Sequence, residues 1–209
     1  MSDKFTIRDF FAYFLCGFAF IIALLYTNFE RIVQIIVDTP KENIEKVSSF
    51  LIFLTIPVAY FCGQFIQSLD VIFYTVGDKI WKSYQSKSNR LKKIVYYLIS
   101  GHRITGSLNL RNIGLYDFWK KCNELELVSK YGHAEYSYIM NGLFHGITLI
   151  SSLFSVYNFC YGSPEKGLIF LGLVFLFWIR AKFYATIFID TVLSTREALD
   201  HINPTSIKS

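Results

Sequence analysis

Catalytic signatures are what this sequence lacks. It holds no GxSxG, no HExxH, no P-loop and no GxGxxG, so nothing marks a nucleophile, a zinc site or a phosphate cradle. The four cysteines include no CxxC pair, which argues against a zinc ribbon or a disulfide framework. Cys16, Cys62 and Cys160 fall in apolar segments and Cys122 in a polar run, as small buried hydrophobes do. His102, His133, His145 and His201 stand at no metal-binding spacing with one another. We therefore expect no catalytic residue, no metal and no cofactor, with a lipid-acting intramembrane enzyme as the remote alternative. Charge is scarce too, at 18% of residues, against 53% hydrophobic and 18% aromatic content. The apolar residues come in blocks rather than in alternation, which sets the chain apart from ordinary soluble domains.

What charge there is collects in one place. From Asp78 to Glu135 the chain carries eleven Lys and Arg against five Asp and Glu, and such an excess beside apolar spans marks the cytoplasmic side of a membrane. The same bias accounts for most of the net charge of +5, so direct nucleic-acid binding is not expected. The fold expected is all-α: an integral membrane four-helix bundle with a helical cytoplasmic insertion between its second and third helices. Residues 1–77 form an N-terminal transmembrane hairpin, with helices over about 10–37 and 40–76. Residues 78–135 form the basic cytoplasmic region, 136–192 a C-terminal hairpin, and 193–209 a cytoplasmic tail. Both termini lie inside, at the cell inner membrane.

In the first span, Ala12, Cys16, Ala19 and Ala23 make a small-residue stripe suited to close helix approach. The helix is expected to run on through Ile32, Val33, Ile35 and Ile36 to a capping box at Thr39-Pro40-Lys41-Glu42. The second span follows, with a possible kink at Pro57. Its inner part carries Gln64, Gln67 and Asp70 three apart, a broad polar face that should avoid lipid. In the central run, Leu91, Ile94, Val95, Leu98 and Ile99 recur at helical spacing. Leu115, Phe118, Trp119, Cys122, Leu125 and Val128 do so again, with Gly132 as the expected stop. His102 to Gly114 reads as a connector. Lys79, Lys82, Lys87, Arg90, Lys92 and Lys93 form a basic platform.

The most regular signal lies in the third span. Asn141, His145, Thr148, Ser152 and Ser155 follow steps of four, three, four and three, a stripe at coiled-coil period beside the GxxxG pair Gly142 and Gly146. It reads as a packing interface or as a pore lining. A turn over Gly162 to Gly167 leads to the fourth span, Leu168 to Ile189. Ending that span at Ile179 would leave thirteen residues from Gly167, about 20 Å of helix against an apolar core of about 30 Å, so Arg180 belongs inside the membrane. Counted from the outer helix ends, Gln64, Gln67, Asp70, Asn141, His145 and Arg180 fall at similar depth. They form a candidate intramembrane polar layer in which Arg180 could pair with Asp70.

The Asp9-x-x-x-Tyr13-x-x-x-Gly17 start, the Gly63-Gln64 pair, the long basic middle and the Arg180-x-x-x-Tyr184 ending resemble the small four-pass membrane proteins of prokaryotic anti-phage defence systems, the Kiwa membrane subunits among them. The resemblance implies a membrane-embedded sensor or anchor that oligomerises and works with a cytoplasmic protein partner. The function expected is thus a non-enzymatic oligomeric sensor or scaffold in the lipid bilayer. A small channel or pore-forming effector is the alternative.

Overall fold

The computed structural model describes residues 7–39, 48, 53–72 and 103–202, and among them all regular structure is helical. Helix α1 covers Ile7–Thr27 and α2 Phe29–Asp38; α3 covers 53–72. Then come α4 over Ile104–Leu110, α5 over Leu115–Leu127, α6 over Gly132–Tyr161 and α7 over Pro164–Ile202. The helices α6 and α7 are long and apolar enough to cross a membrane, and α1 with α2 makes a third candidate if the bent pair is one span. The basic platform of Lys79, Lys82, Lys87, Arg90, Lys92 and Lys93, the expected helix from Leu91 to Ile99, and Pro40 and Glu42 of the capping box lie outside the described residues.

The described chain divides into two compact units. One holds α1, α2, α3, residues 143–161 of α6 and residues 164–178 of α7. Here the sequence-based helix over about 10–37 is interrupted, because α1 and α2 meet at a bend of 74°. Asn28 makes the break. Its backbone sits at φ −103°, ψ 19°, and its side-chain amide donates to the Leu24 carbonyl at 2.9 Å, the local competition with helix that Asn offers. At the far end of α2, Thr39 turns extended and its hydroxyl donates back to the Ile35 carbonyl at 2.6 Å.

Helix α3 runs through Pro57 and crosses α1 with the two backbones in contact. A Cβ on Gly17 would lie 1.6 Å from the Ala59 carbonyl oxygen, and one on Gly63 1.8 Å from that of Tyr13. Only glycine permits this approach. Around it, Ala12, Cys16 and Ala23 of the small-residue stripe are buried, and Tyr60 stacks on Phe10 and meets Tyr13 edge-on. Further out, Phe154 of α6 contacts Phe20 and Phe170.

The other unit holds α4, α5, residues 132–142 of α6 and residues 179–202 of α7. Leu108, Phe118, Cys122, Leu125, Ala134, Ala185, Phe188, Ile189 and Val192 form its core, with Phe118 edge-on to Phe188 at 5.5 Å. The stripe read for α5 holds at Phe118, Cys122 and Leu125, whereas Leu115 and Val128 at its ends are exposed. Arg196 bridges Glu124 and Asp200 at 3.2 and 3.3 Å, and Arg111 pairs with Asp190.

Three boundaries differ from the sequence reading. The connector from His102 to Gly114 contains α4, which ends with Asn112 in the left-handed region at φ 56°. The stop after α5 is Ser129, not Gly132. Ser129 takes φ 57°, and the Lys130 and Ser129 amides bond the Leu125 and Glu126 carbonyls in a Schellman arrangement. Gly132 instead opens α6. The outer turn shortens to Gly162 and Ser163, because Pro164 starts α7 in the position where its missing N–H is not needed. That helix then continues to Ile202, past the expected end of the span and into the expected tail.

Candidate functional site

The polar stripe of α6 is the densest collection of buried polar groups among the described residues. Asn141, His145, Thr148 and Ser155 are all under 9% exposed, and Ser152 is half-buried. Within the first-described unit, Thr148 donates to the Phe144 carbonyl at 2.7 Å and Ser152 to the Thr148 carbonyl at 2.8 Å, the return of a hydroxyl to its own helix. Ser155 reaches across to the Gly167 carbonyl of α7 at 3.0 Å. In the other unit, the Asn141 side chain donates to the Ala181 carbonyl of α7 at 2.7 Å. Two of the five thus tie α6 to α7, and two close on α6 itself.

His145 has a charged neighbour. Its Nδ1 lies 3.4 Å from Asp70 Oδ2, with both side chains largely buried. Such a buried pair is favourable only where the mutual attraction and further hydrogen bonds offset the cost of desolvating both groups. A His–Asp pair can hold and exchange a proton. Among the described residues no group of three His, Cys, Asp or Glu could hold a metal.

The other residues of the expected layer differ in exposure. Gln67 is half-buried but Gln64 is exposed, its amide donating to the Tyr60 hydroxyl at 2.7 Å. Steps of three residues rotate about 60° each on a helix, so Gln64 and Asp70 stand about 120° apart, too far for one inward face. Arg180 is exposed as well, on a helix long and apolar enough to cross a membrane. It falls in the unit that does not contain Asp70, and their pairing stays an expectation. The GxxxG pair also divides. A Cβ on Gly146 would lie 2.5 Å from Cys16 Sγ, whereas one on Gly142 meets nothing within 4 Å.

Comparison with family models, curated proteins and solved structures finds no match.

Sequence reasoning overlooked the outer end of the stripe. Asn158 is fully buried; its amide donates to the Phe154 carbonyl at 2.7 Å and to the Thr27 hydroxyl at 3.2 Å. Lys166 donates to the Thr27 carbonyl at 3.2 Å and sits over the Tyr26 ring. One further step of three from Ser155 would have found Asn158. Thr27 and Lys166 carry no periodic signal.

Proposed function

We propose that the protein is a non-enzymatic membrane scaffold or sensor, a four-pass inner-membrane bundle with both termini and the basic middle region in the cytoplasm. It self-associates in the bilayer and recruits a cytoplasmic protein, in keeping with the resemblance to anti-phage defence membrane proteins. The observation that carries this reading over a pore is the state of the α6 stripe. Thr148, Ser152, Ser155 and Asn141 give a donor to backbone carbonyls of the same chain, and Asn141, Thr148 and Ser155 are under 9% exposed, so little of the stripe is open to a column of water. Meanwhile Leu168, Ile169, Phe175, Leu176 and Ile179 of α7 are exposed, an apolar surface that suits lipid or neighbouring copies.

Ion flux through the purified protein in liposomes tests the choice. The scaffold predicts no conductance. A steady current that Ser152→Leu abolishes without altering oligomer size would replace it with the pore reading.

A further inference from the structure

Helix α2 is the one described helix longer than two turns that buries no residue. Its ten residues divide cleanly around the axis at about 100° per residue. Glu30, Arg31, Gln34 and Asp38 fall within one arc of about 100°. Phe29, Ile32, Val33, Ile35, Ile36 and Val37 occupy the remainder. Phe29, Ile35, Ile36 and Val37 are each more than half exposed, so a broad apolar face is left uncovered by the described residues.

Three observations say what covers it. First, α1 has the length to cross a bilayer without α2: past Arg8 and Asp9, its 18 residues from Phe10 to Thr27 span about 27 Å at about 1.5 Å per residue, within the roughly 17–25 residues that a crossing helix uses. The chain has reached the boundary at Asn28. Second, the 74° bend lays α2 within about 16° of the bilayer plane when α1 stands along the normal. Third, the exposed apolar face continues without interruption from Ile22, Leu24, Leu25 and Tyr26 of α1 into Phe29. A second copy fits less well. Helix α2 is about 15 Å long and about 10–12 Å across, so its face projects roughly 150–200 Å², far below the roughly 800 Å² per partner of a stable interface.

We propose that α2 is an interfacial helix that lies in the headgroup boundary, with its Phe29, Val33 and Ile36 side buried in the acyl chains and its Glu30, Arg31, Gln34 and Asp38 side in water. The assignment rests on α1 spanning the membrane. It adds a lipid-surface contact at the end of that span which the helical apolar spacing running from Phe10 to Val37 conceals.

The test is tryptophan placed one at a time in the full chain at Phe18 on α1, Ile36 and Gln34. The full-length protein is reconstituted in phosphatidylcholine vesicles, with or without bromine at the 6,7 acyl positions, and each signal is read as a difference from the parent protein. Phe18→Trp and Ile36→Trp should be blue-shifted, quenched at least twofold by brominated lipid and insensitive to iodide. Gln34→Trp should be quenched by iodide. If Phe18→Trp is not quenched by brominated lipid, the membrane-spanning reading fails along with this one. If Phe18→Trp is quenched but Ile36→Trp responds to iodide, α2 stands in water and the proposal is overturned. If Ile36→Trp responds to neither quencher, a protein surface covers the face, and the proposal is overturned in favour of a second copy.

Discussion

Burial of single titratable groups gives this chain its sharpest measurable properties. Cys122 packs in the core beside Phe118 and Leu125, and desolvation pushes its thiol up to about 12 from an ordinary 9.0. Tyr131 is raised for the same reason, with the nearby Cys122 as a smaller cause. A group raised in the folded state contributes stability that is complete below its unfolded pKa and is lost as pH climbs towards the folded value. The melting temperature in detergent should therefore fall from pH 9 upward, and Cys122→Ala should flatten part of that fall. An unchanged alkaline slope in the variant would show that Cys122 is not shielded. The His145–Asp70 pair makes a second test at this scale. Removing either partner of a buried pair typically costs about 3–5 kcal/mol, so Asp70→Asn and His145→Gln should each destabilise, and the double variant should lose about 1–3 kcal/mol less than their sum. Strict additivity in thermal or denaturant unfolding would mean that the 3.4 Å approach carries no coupling.

For the elements, the glycines decide what touches what. Gly17→Ala and Gly63→Ala each drive a methyl into a carbonyl oxygen, so each should cost more than the about 1–3 kcal/mol of ordinary overpacking, read as loss of monodisperse protein or a sharply lower melting temperature. Gly146→Leu should likewise destabilise the single chain, because its neighbour is Cys16 of the same molecule. Gly142 is open, and Gly142→Leu should leave the monomer's melting temperature within a few degrees while dissociating the proposed oligomer in mild detergent. An intact oligomer there would place the contact between copies on another face. Much of this was legible beforehand: the 3.6-residue pattern of Phe118, Cys122 and Leu125 gave α5, and the four-three steps from Asn141 to Ser155 gave the buried side of α6. The breaks were not. Asn28 stands between two segments with helical apolar spacing, so periodicity runs across it while its backbone angles and side-chain hydrogen bond mark the bend. Ser129 stops α5 in a conformation usually assigned to Gly or Asn, which drew attention to Gly132 instead. Gln64 and Asp70 share a spacing but not an orientation, since rotation over two steps of three is too large for one face.

For the whole molecule, a charge count proposes an orientation and the structure supplies places to test it. Cysteines introduced one at a time at Ser163 in the outer turn and at Tyr116, 81% exposed on α5, in a background with the four native cysteines replaced, should differ in intact cells. The first should react with an impermeant maleimide and the second only after lysis. The reverse pattern would invert the topology and move the proposed partner to the other side of the membrane. Helix periodicity foretold an all-helical chain with apolar spans, but depth in the bilayer depends on where helices end. Ends such as Ser129 and Pro164 are set by a few backbone angles that composition barely records. The break at Asn28 also limits how this protein could transmit a signal. A straight helix can work as a piston, but one that ends in a foot on the membrane surface, as proposed for α2, cannot. Sliding α1 inward would drag Glu30, Arg31 and Asp38 toward hydrocarbon, where each charge costs about 2.5–3.5 kcal/mol at full depth, and sliding it outward would strand Phe29 and Ile36 in water. Tilting about Asn28 escapes both costs, so the stroke left to the first helix is a sway of the end opposite Asn28.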